Sequence, residues 1–301
     1  MTSHPPRHAP TDAAVSVREL RKSYGAFEAL RGVTFDIASG ETFALLGPNG
    51  AGKSTTIEIL EGYRDRSGGS ASVLGIDPHR GGVHWKARLG IVLQSGAEAA
   101  DVTVKEQVSH FARLYPRPHD VDEIIAAVGL TDKAKTRIRN LSGGQRRRLD
   151  VALGVVGRPE LLFLDEPTTG FDPEARRDFW ELIRGLKREG TTILLTTHYL
   201  DEAAQLSDRV AVIARGGLVD MGAVDSIGDA SARVPIVRWR DESGQPHSER
   251  SDAPAALVAR LTEQTGGEPR DLEVIRPSLE DIYLGLVREA EADAVAEEGR
   301  A

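Results

Sequence analysis

The chain has 301 residues and a net charge of −8, from 38 basic and 46 acidic side chains. It contains no cysteine, which excludes disulfide frameworks, thiolate metal centres and cysteine nucleophiles. No apolar run reaches the roughly 18 residues that a bilayer-spanning helix needs. Residues 231–301 hold 9 arginines and 15 acidic residues, a net of −6, and no basic stripe occurs elsewhere. We therefore expect no nucleic-acid partner.

The N-terminal part of the chain predicts a polar lead-in followed by short strands. Residues 1–14 are polar and proline-rich and have no signal-peptide core, so we expect a disordered segment and a cytoplasmic protein. Strands are predicted at Val15–Leu20, Val33–Ile37 and Thr42–Leu46, because these runs are rich in β-forming residues and end at glycine turns. A helix is predicted from about Lys53 to Leu60.

The middle of the chain alternates helical and strand patterns. Residues 94–140 are mostly helical, a second helical signal starts after Leu141, and Leu161–Leu164 is a buried strand candidate. Asp172 is predicted to cap the next helix. The core face of that helix is predicted to consist of Phe179, Leu182, Ile183 and Leu186, with Gly190 at its end. With further strands at Thr191–Thr197 and Val210–Ala214, this alternation predicts an α/β domain with a largely parallel sheet.

The composition shifts near Ser226, and a small second module is predicted over residues 226–288. Its expected elements are strands 234–240, 246–250 and 271–276 and helices at 254–264 and from Ser278, in the order β–β–α–β–α. Ser278 and Asp281 form a capping-box pattern. We expect the acidic tail, residues 289–301, to be frayed. The module could cover the edge of the core domain, or it could serve dimer contact or regulation.

The first motif with a specific binding function is a phosphate-binding loop. Residues Gly47, Pro48, Asn49, Gly50, Ala51, Gly52, Lys53 and Ser54, followed by Thr55, fit the pattern G-x-x-x-x-G-K-[ST] between a strand and a helix. Glycines let successive N–H groups face phosphate oxygens, and the helix start adds partial positive charge. Lys53 can reach the terminal phosphates, and Ser54 can hold Mg²⁺. The loop predicts a nucleotide site.

Two acids follow the apolar run Leu161–Leu164. A buried parallel strand would present Asp165 and Glu166 at its carboxyl end, where ligands bind in such sheets. Asp165 suits the Mg²⁺ shell, and Glu166 suits a general base that activates water. On its own the pair could be a solvated acidic turn, but a phosphate loop upstream favours the catalytic interpretation.

The segment Leu141-Ser142-Gly143-Gly144-Gln145 resembles the LSGGQ signature of ATP-binding cassette (ABC) ATPases. Ser142 and the two glycines at a helix start form a set of N–H donors suited to an anion. Arg146, Arg147 and Arg148 could be phosphate ligands, but we favour a solvated helix face.

The resemblance implies roles for four further residues. Tyr24 is similar to the aromatic residue that stacks on adenine, and Gln94 to the amide that contacts Mg²⁺ or the attacking water. Asp172, in Thr169-Gly170-Phe171-Asp172, resembles the D-loop aspartate, although the family usually has Ser-Gly-Leu-Asp. His198 resembles the switch histidine near the γ-phosphate. The implied ligands are ATP and Mg²⁺, with Ser54, Gln94 and Asp165 as the metal shell.

The resemblance covers residues 15–225. It implies the ABC-type P-loop fold, with a mostly parallel core sheet, an antiparallel β subdomain and a helical subdomain at about 95–155. It also implies a head-to-tail dimer in which the signature of one cassette caps ATP on the other. Because all motifs are intact, we expect ATP hydrolysis and a homodimer.

The C-terminal segment, residues 276–284, reads Arg-Pro-Ser-Leu-Glu-Asp-Ile-Tyr-Leu and resembles the ending of daunorubicin-resistance-type multidrug-exporter ATPases. This resemblance implies an ATP-binding subunit that powers export of a drug, antibiotic or lipid-like substrate through separate polytopic membrane permease subunits. The chain would then lie at the cytoplasmic face of the cell membrane. An import ATPase or a non-transport regulatory ATPase stays open as an alternative. The former predicts a larger C-terminal barrel, and the latter a basic patch.

Overall fold

The computed structural model describes residues 13–92, 101–241 and 243–298, with side chains up to residue 292. The chain divides into two compact units between Val219 and Asp220. Of the sequence-predicted features, most of the lead-in (residues 1–12) and Gln94 lie outside the described residues. Among the described helices, none combines the length and the apolar character that crossing a bilayer requires.

Strands and helices follow one another along the described part of the first unit, and the last of these strands continues past Val219. In chain order they are β1 (Ala13–Tyr24), β2 (Phe27–Ala38), β3 (Thr42–Leu46), α1 (Lys53–Leu60), β4 (Gly68–Val73), α2 (Val83–Lys86), β5 (Leu89–Val92), α3 (Val104–Ala112), α4 (Val121–Ala127), α5 (Gly143–Val155), β6 (Leu161–Asp165), α6 (Pro173–Arg188), β7 (Thr192–Thr196), α7 (Leu200–Leu206), β8 (Arg209–Ala214) and β9 (Gly217–Ala223). The bounds of β3 and α1 equal those predicted. The predicted strands at Val15–Leu20 and Val33–Ile37 are the central parts of longer strands.

A six-stranded sheet has the order β5-β6-β7-β3-β8-β9, and its first five strands pair in parallel. Every residue of β3 and β7 is buried, as are the first four residues of β6. Parallel strands with helices in their connections end at the same edge of the sheet. The loops after β3, β6 and β7 therefore meet at one edge, and this edge carries the site described below.

A separate three-stranded antiparallel sheet has the order β2-β1-β4. Strand β1 begins with Ala13 opposite Ala38, so the last two residues of the predicted lead-in belong to this sheet. Strand β4 was not predicted, because its sequence, GGSASV, lacks the alternation of apolar and polar residues that marks a strand. It forms as an edge partner of β1.

The helices α3, α4 and α5 lie between β5 and β6 in the chain and pack against one another. Each begins at a side-chain cap, which satisfies N–H groups that the first helical turn leaves free. Thr103 and Glu106 form a capping box on α3, Asp120 accepts from two N–H groups of α4, and Ser142 caps α5. The predicted helical region thus forms a cluster of three short helices.

The second unit follows the predicted β–β–α–β–α order. Its elements are β10 (Ile236–Arg240), β11 (Pro246–Arg250), α8 (Pro254–Thr265), β12 (Arg270–Ile275) and α9 (Leu279–Glu298). The sheet order is β11-β10-β12. Its described core consists of Val237, Leu257 and Leu261, flanked by partly buried apolar side chains. The helix α9 continues to Glu298, so most of the tail that was expected to fray is helical.

Candidate nucleotide site

The loop between β3 and α1 has a backbone that three glycines make possible. Gly50 and Gly52 have φ values of 80° and 107°, in the left-handed region that glycine adopts readily. A Cβ atom on Gly47 would lie 2.2 Å from the carbonyl oxygen of Ile213. Gly52 is also the N-cap of α1. The fold therefore places this loop directly at a helix start, the geometry in which backbone N–H groups bind phosphate.

The turn between β8 and β9 supports the loop from one side. The N–H of Gly216 donates to the carbonyl of Ala51 at 3.1 Å, and the carbonyl of Gly216 accepts from the N–H of Arg31 at 2.7 Å. Gly216 has a φ of 79°, and a Cβ atom on it would lie 2.7 Å from the carbonyl oxygen of Ala29. The first of these hydrogen bonds anchors the phosphate loop at Ala51, and the second ties Gly216 to β2.

Lys53 is buried within the loop that it is predicted to serve. Its Nζ donates to the carbonyls of Gly47 at 2.7 Å and Pro48 at 3.1 Å. Burial lowers the pKa of the Lys53 ammonium, while the negative charges of Glu166 and Asp165 act in the opposite direction. This electrostatic coupling indicates that the fold brings the lysine and the two acids together, although β7 separates their strands.

The two acids at the end of β6 are oriented by the adjacent strand β7. The hydroxyl of Thr196 donates to Oδ1 of Asp165. The backbone N–H of Glu166 donates to the carbonyl of Thr196 at 3.1 Å and to its hydroxyl at 3.2 Å. Glu166 has a φ of 47°, which is uncommon for a residue with a side chain and occurs often at functional sites.

His198 lies beside Glu166, just after β7. Its Nδ1 is 3.4 Å from Oε2 of Glu166, and the two side chains are 46% and 15% exposed. The imidazole packs on the ring of Tyr199 with centroids 4.0 Å apart, and the guanidinium of Arg176 lies 4.4 Å from the centre of that ring. The histidine and the acid can therefore act on the same reacting group.

The signature segment forms a helix start with its own capping box. Gln145 donates its N–H to the hydroxyl of Ser142 at 3.2 Å, and the side-chain oxygen of Gln145 accepts from the N–H of Ser142 at 3.1 Å. Ser142 and Gly143 are exposed, and Gly144 is half-buried. Asp172, the predicted D-loop residue, caps α6 by accepting from the N–H of Ala175 at 2.8 Å. Both segments are accessible from outside the chain.

The expectation of a solvated arginine face on α5 is wrong for one residue. Arg146 is exposed and Arg148 is half-buried, but Arg147 is buried. Arg147 donates to the carbonyls of Asp165, Glu166 and Pro167 at 2.5, 3.2 and 3.1 Å. A charged side chain is buried only where its donors are satisfied, and these three carbonyls accept from it.

The remaining predicted ligands lie at accessible positions. Tyr24 ends β1 with 42% of its surface exposed, and the cationic groups of Lys22 and Arg64 lie 5.0 and 5.4 Å from the centre of its ring. An exposed aromatic ring of this kind can stack on a base once the neighbouring cationic side chains move aside. Ser54 is exposed at the start of α1. Its hydroxyl and the carboxylate of Asp165 are hard oxygen donors of the kind that Mg²⁺ takes, so these residues fit that ion.

Sequence reasoning missed two buried acids of the first unit. Glu202, on α7, is fully buried, and burial raises the pKa of its carboxyl against the influence of Thr197, Thr168, Trp180 and Arg176. Burial likewise raises the pKa of Glu61 to about 7, with further contributions from Asp165 and Glu58. Neither acid lies in a motif. Their positions in the first and last turns of short helices resemble those of ordinary surface acids.

A glycine-built phosphate loop, two strand-end acids and an adjoining histidine define a P-loop nucleotide-binding cassette. The chain belongs to the ABC transporter family, whose model matches residues 30–169. It is an ATP-binding subunit and an ATPase.

Similar proteins align over nearly their whole length. The daunorubicin/doxorubicin resistance ATP-binding protein DrrA of Streptomyces peucetius is 34% identical, over 95% of this chain and 96% of that protein. DrrA2 of Streptomyces coeruleorubidus, a daunorubicin resistance ATP-binding protein, is 36% identical over 91% and 94%. The Nod factor export ATP-binding protein I of Rhizobium meliloti (strain 1021) is 35% identical over 91% and 88%.

Solved structures support the fold class. The ATP-binding subunit of an ABC transporter superimposes with a TM-score of 0.68 at 22% identity, covering 91% of this chain and 99% of that one. The cassette MJ0796, a dimer in a post-hydrolysis state with ADP and phosphate, gives 0.63 at 22% identity over 69% and 98%. The predicted ABC-type α/β fold is confirmed.

Proposed function

We propose that Glu166 is the general base of ATP hydrolysis and that the energy released drives export through separate membrane subunits. The main support for Glu166 as the base is the distance of 3.4 Å between Nδ1 of His198 and Oε2 of Glu166. This pair lies at the sheet edge that also carries the phosphate loop. A base and its orienting partner within reach of a phosphate site are what water activation needs.

The roles of the other residues follow from their chemistry. The backbone N–H groups of residues 47 and 49–55 and the ammonium of Lys53 bind the phosphates, and Tyr24 stacks on the adenine. Ser54, Asp165 and Gln94 would hold Mg²⁺, which neutralises phosphate charge when bound. Glu166 accepts the proton of the attacking water, and His198 holds the carboxylate in place beside the γ-phosphate.

The same chain supplies the second half of the nucleotide site by pairing head to tail with a second copy. The hydroxyl of Ser142 and the glycine backbone at Gly143 and Gly144 lie at an accessible helix start, as a cap for the other copy's γ-phosphate requires, and the capping box between Ser142 and Gln145 fixes this start. Asp172 lies on an accessible loop that suits contact across such a dimer. Because every motif is intact, a homodimer with two equal sites is proposed.

We propose a drug, antibiotic or lipid-like cargo that passes through separate polytopic permease subunits, with this chain bound at the cytoplasmic face of the membrane. Support comes from the relatives, whose names refer to daunorubicin resistance and Nod factor export. The alternative, an import ATPase, predicts a C-terminal barrel. The described part of the second unit instead contains a three-stranded sheet with two helices.

The catalytic proposal is tested by steady-state hydrolysis and nucleotide binding of Glu166→Gln. The amide cannot accept the water proton, so kcat should fall by about 10²–10⁴-fold while ATP binding persists. Glu181→Gln, an exposed acid on α6, is the matched control and should turn over normally. Unchanged kcat in Glu166→Gln would refute the assignment of the base.

The transport proposal is tested by identifying the proteins that co-purify with the tagged chain after gentle solubilisation of membranes. A polytopic partner whose association depends on this chain supports export. Recovery of the chain only in ribosome- or DNA-containing fractions would remove transport from the proposal, although the ATPase would stand.

A further inference from the structure

Arg147 links two functional segments that are far apart in the sequence. It lies in the second turn of α5, the helix that begins at Ser142. Its guanidinium ends on the turn after β6, where Nη2 donates to the carbonyls of Asp165 and Glu166 and Nε to that of Pro167. One side chain therefore contacts the backbone on both sides of the proposed general base.

The turn that Arg147 contacts has a backbone conformation that is unfavourable for a residue with a side chain. The φ of Glu166 is 47°, and a residue with a side chain keeps such a value only where the surroundings hold it there. Three successive carbonyl oxygens point toward one cation. A planar guanidinium with several fixed donors suits such a set, whereas an ammonium offers a single point of charge.

The charge of Arg147 also matters at this position. Burial lowers the pKa of the guanidinium, while Asp150, Asp165, Glu166 and Glu202 all oppose that effect. The side chain is thus a buried cation facing several acids of the first unit.

The geometry points to Arg147 as a positioning residue that fixes the Glu166 turn and ties it to the signature helix. This inference rests on the proposed roles of Glu166 and of the signature segment. Because Ser142 and Arg147 belong to one helix, a displacement of its first turn moves the guanidinium and, through three hydrogen bonds, the base. ATP bound by a second copy could in this way influence hydrolysis at the site on this copy.

The test compares kcat, KM and nucleotide affinity in Arg147→Met and Arg147→Lys. Misplacing a base without removing it should lower kcat by about 10–100-fold in Arg147→Met, with KM for ATP changed less than about twofold. Arg147→Lys keeps the charge but loses the fork of donors, so a decrease of about tenfold is expected. Arg148→Met, at the half-buried neighbour, should retain normal turnover.

A double-mutant cycle with Glu166→Gln separates positioning from general loss of structure. If Arg147 acts through Glu166, Arg147→Lys should have almost no further effect on the residual hydrolysis of Glu166→Gln. Thermal unfolding identifies any variant that does not fold. If Arg147→Met does not fold, the kinetic comparison uses Arg147→Lys alone.

Three outcomes would overturn the inference. Arg147→Lys could match Arg148→Met in kcat, or it could raise KM with kcat unchanged. Its effect could also add fully to that of Glu166→Gln, which would indicate a role elsewhere. A fast Glu166→Gln enzyme would instead refute the proposed general base, so the two failures are distinguishable.

Discussion

The central parallel strands of the first unit are buried almost from end to end, whereas the strands of the small sheet in the second unit lie largely at the surface. In β3, β6 and β7 nearly every residue is buried, while all five residues of β11 are exposed and β12 has no buried residue. Side chains at the ends of buried strands are held by packing on all sides. Such strands can position reacting groups, and shallow strands are better suited to contact with other molecules.

The two units also differ in where they place charge. Among the described residues, the buried charged side chains Glu41, Lys53, Glu61, Arg147 and Glu202 all belong to the first unit. In the second unit the charged pairs, such as Arg240–Asp271, are exposed. Buried charges interact strongly because water screens them little, whereas exposed pairs contribute little to stability.

The largest expected effect is on stability, from a substitution that would create a cavity beside β6. Phe163 is fully buried, so Phe163→Ala should lower the free energy of unfolding by about 3–5 kcal/mol. Phe27→Ala, at a 63% exposed position, is the control and should change it by less than about 0.5 kcal/mol. Urea denaturation measures both. Equal effects would contradict the assumption that the burial of a strand residue determines how much it contributes to stability.

The next effect concerns Lys53, which should bind phosphate when nucleotide is present. Lys53→Ala removes a charge-assisted contact and should weaken ATP binding by about 10–100-fold. Lys22→Ala, at a residue outside the loop whose ammonium is over Tyr24, should have a smaller effect on affinity. Calorimetric titration measures both. Unaltered affinity in Lys53→Ala would speak against the phosphate-loop assignment.

A smaller effect is expected in the core of the second unit. Leu257→Ala should destabilise this unit by about 2 kcal/mol, the low end for buried leucines, because its surroundings can relax. Hydrogen exchange should accelerate in α8 and β10, while ATP turnover stays near normal. A marked fall in turnover would favour regulation over edge coverage as the role of the module.

The smallest effect concerns the cap of α9. Asp281 accepts from the N–H and hydroxyl of Ser278, and these hydrogen bonds hold the pKa of the carboxyl below 3.8. Ser278→Ala should cost about 1 kcal/mol at neutral pH. Ser278→Ala keeps the backbone N–H donor and loses only the hydroxyl donor. Because the folded-state pKa of Asp281 is depressed, the share of the stabilisation that comes from the hydroxyl–carboxylate hydrogen bond is present above pH 3.8 and is lost as the pH falls through the folded-state value. Urea denaturation at several pH values measures the difference in unfolding free energy between wild type and Ser278→Ala. A difference that grows as the pH is lowered would show that it does not come from the ionised carboxylate of Asp281.

The sequence predicted elements best where local patterns and packing agree. The strand Thr42–Leu46 and the helix Lys53–Leu60 are both bounded by glycine-rich segments with fixed conformational demands, so their predicted ends match the structure. Strand β4 was missed because small polar residues carry no periodic signal, and its pairing with β1 depends on residues distant in the chain. Long-range pairing of this kind cannot be read from a local window.

Motif residues of the site were predictable because each is a specific residue type at a fixed spacing. Arg147 was missed because three consecutive arginines look alike, and only helical spacing distinguishes them. Arg147 precedes the buried Val151 by four residues and Gly154 by seven, which places it on the buried face of α5. That spacing was present in the sequence. The carbonyls that accept from it come from the end of β6 and the turn after it, and they could be found only in the fold.

The hydrogen bonds around Gly216 have a consequence for the kinetics of nucleotide capture. A binding loop that is already in its final conformation gives up little conformational freedom when its ligand arrives, so the loss of entropy falls mainly on the ligand. Association then needs no slow rearrangement of the loop, and encounter and orientation set its rate. The overall rate of ATP turnover would then be set by steps after capture, which in the proposed homodimer include closure of a second copy over the bound ATP and its later release.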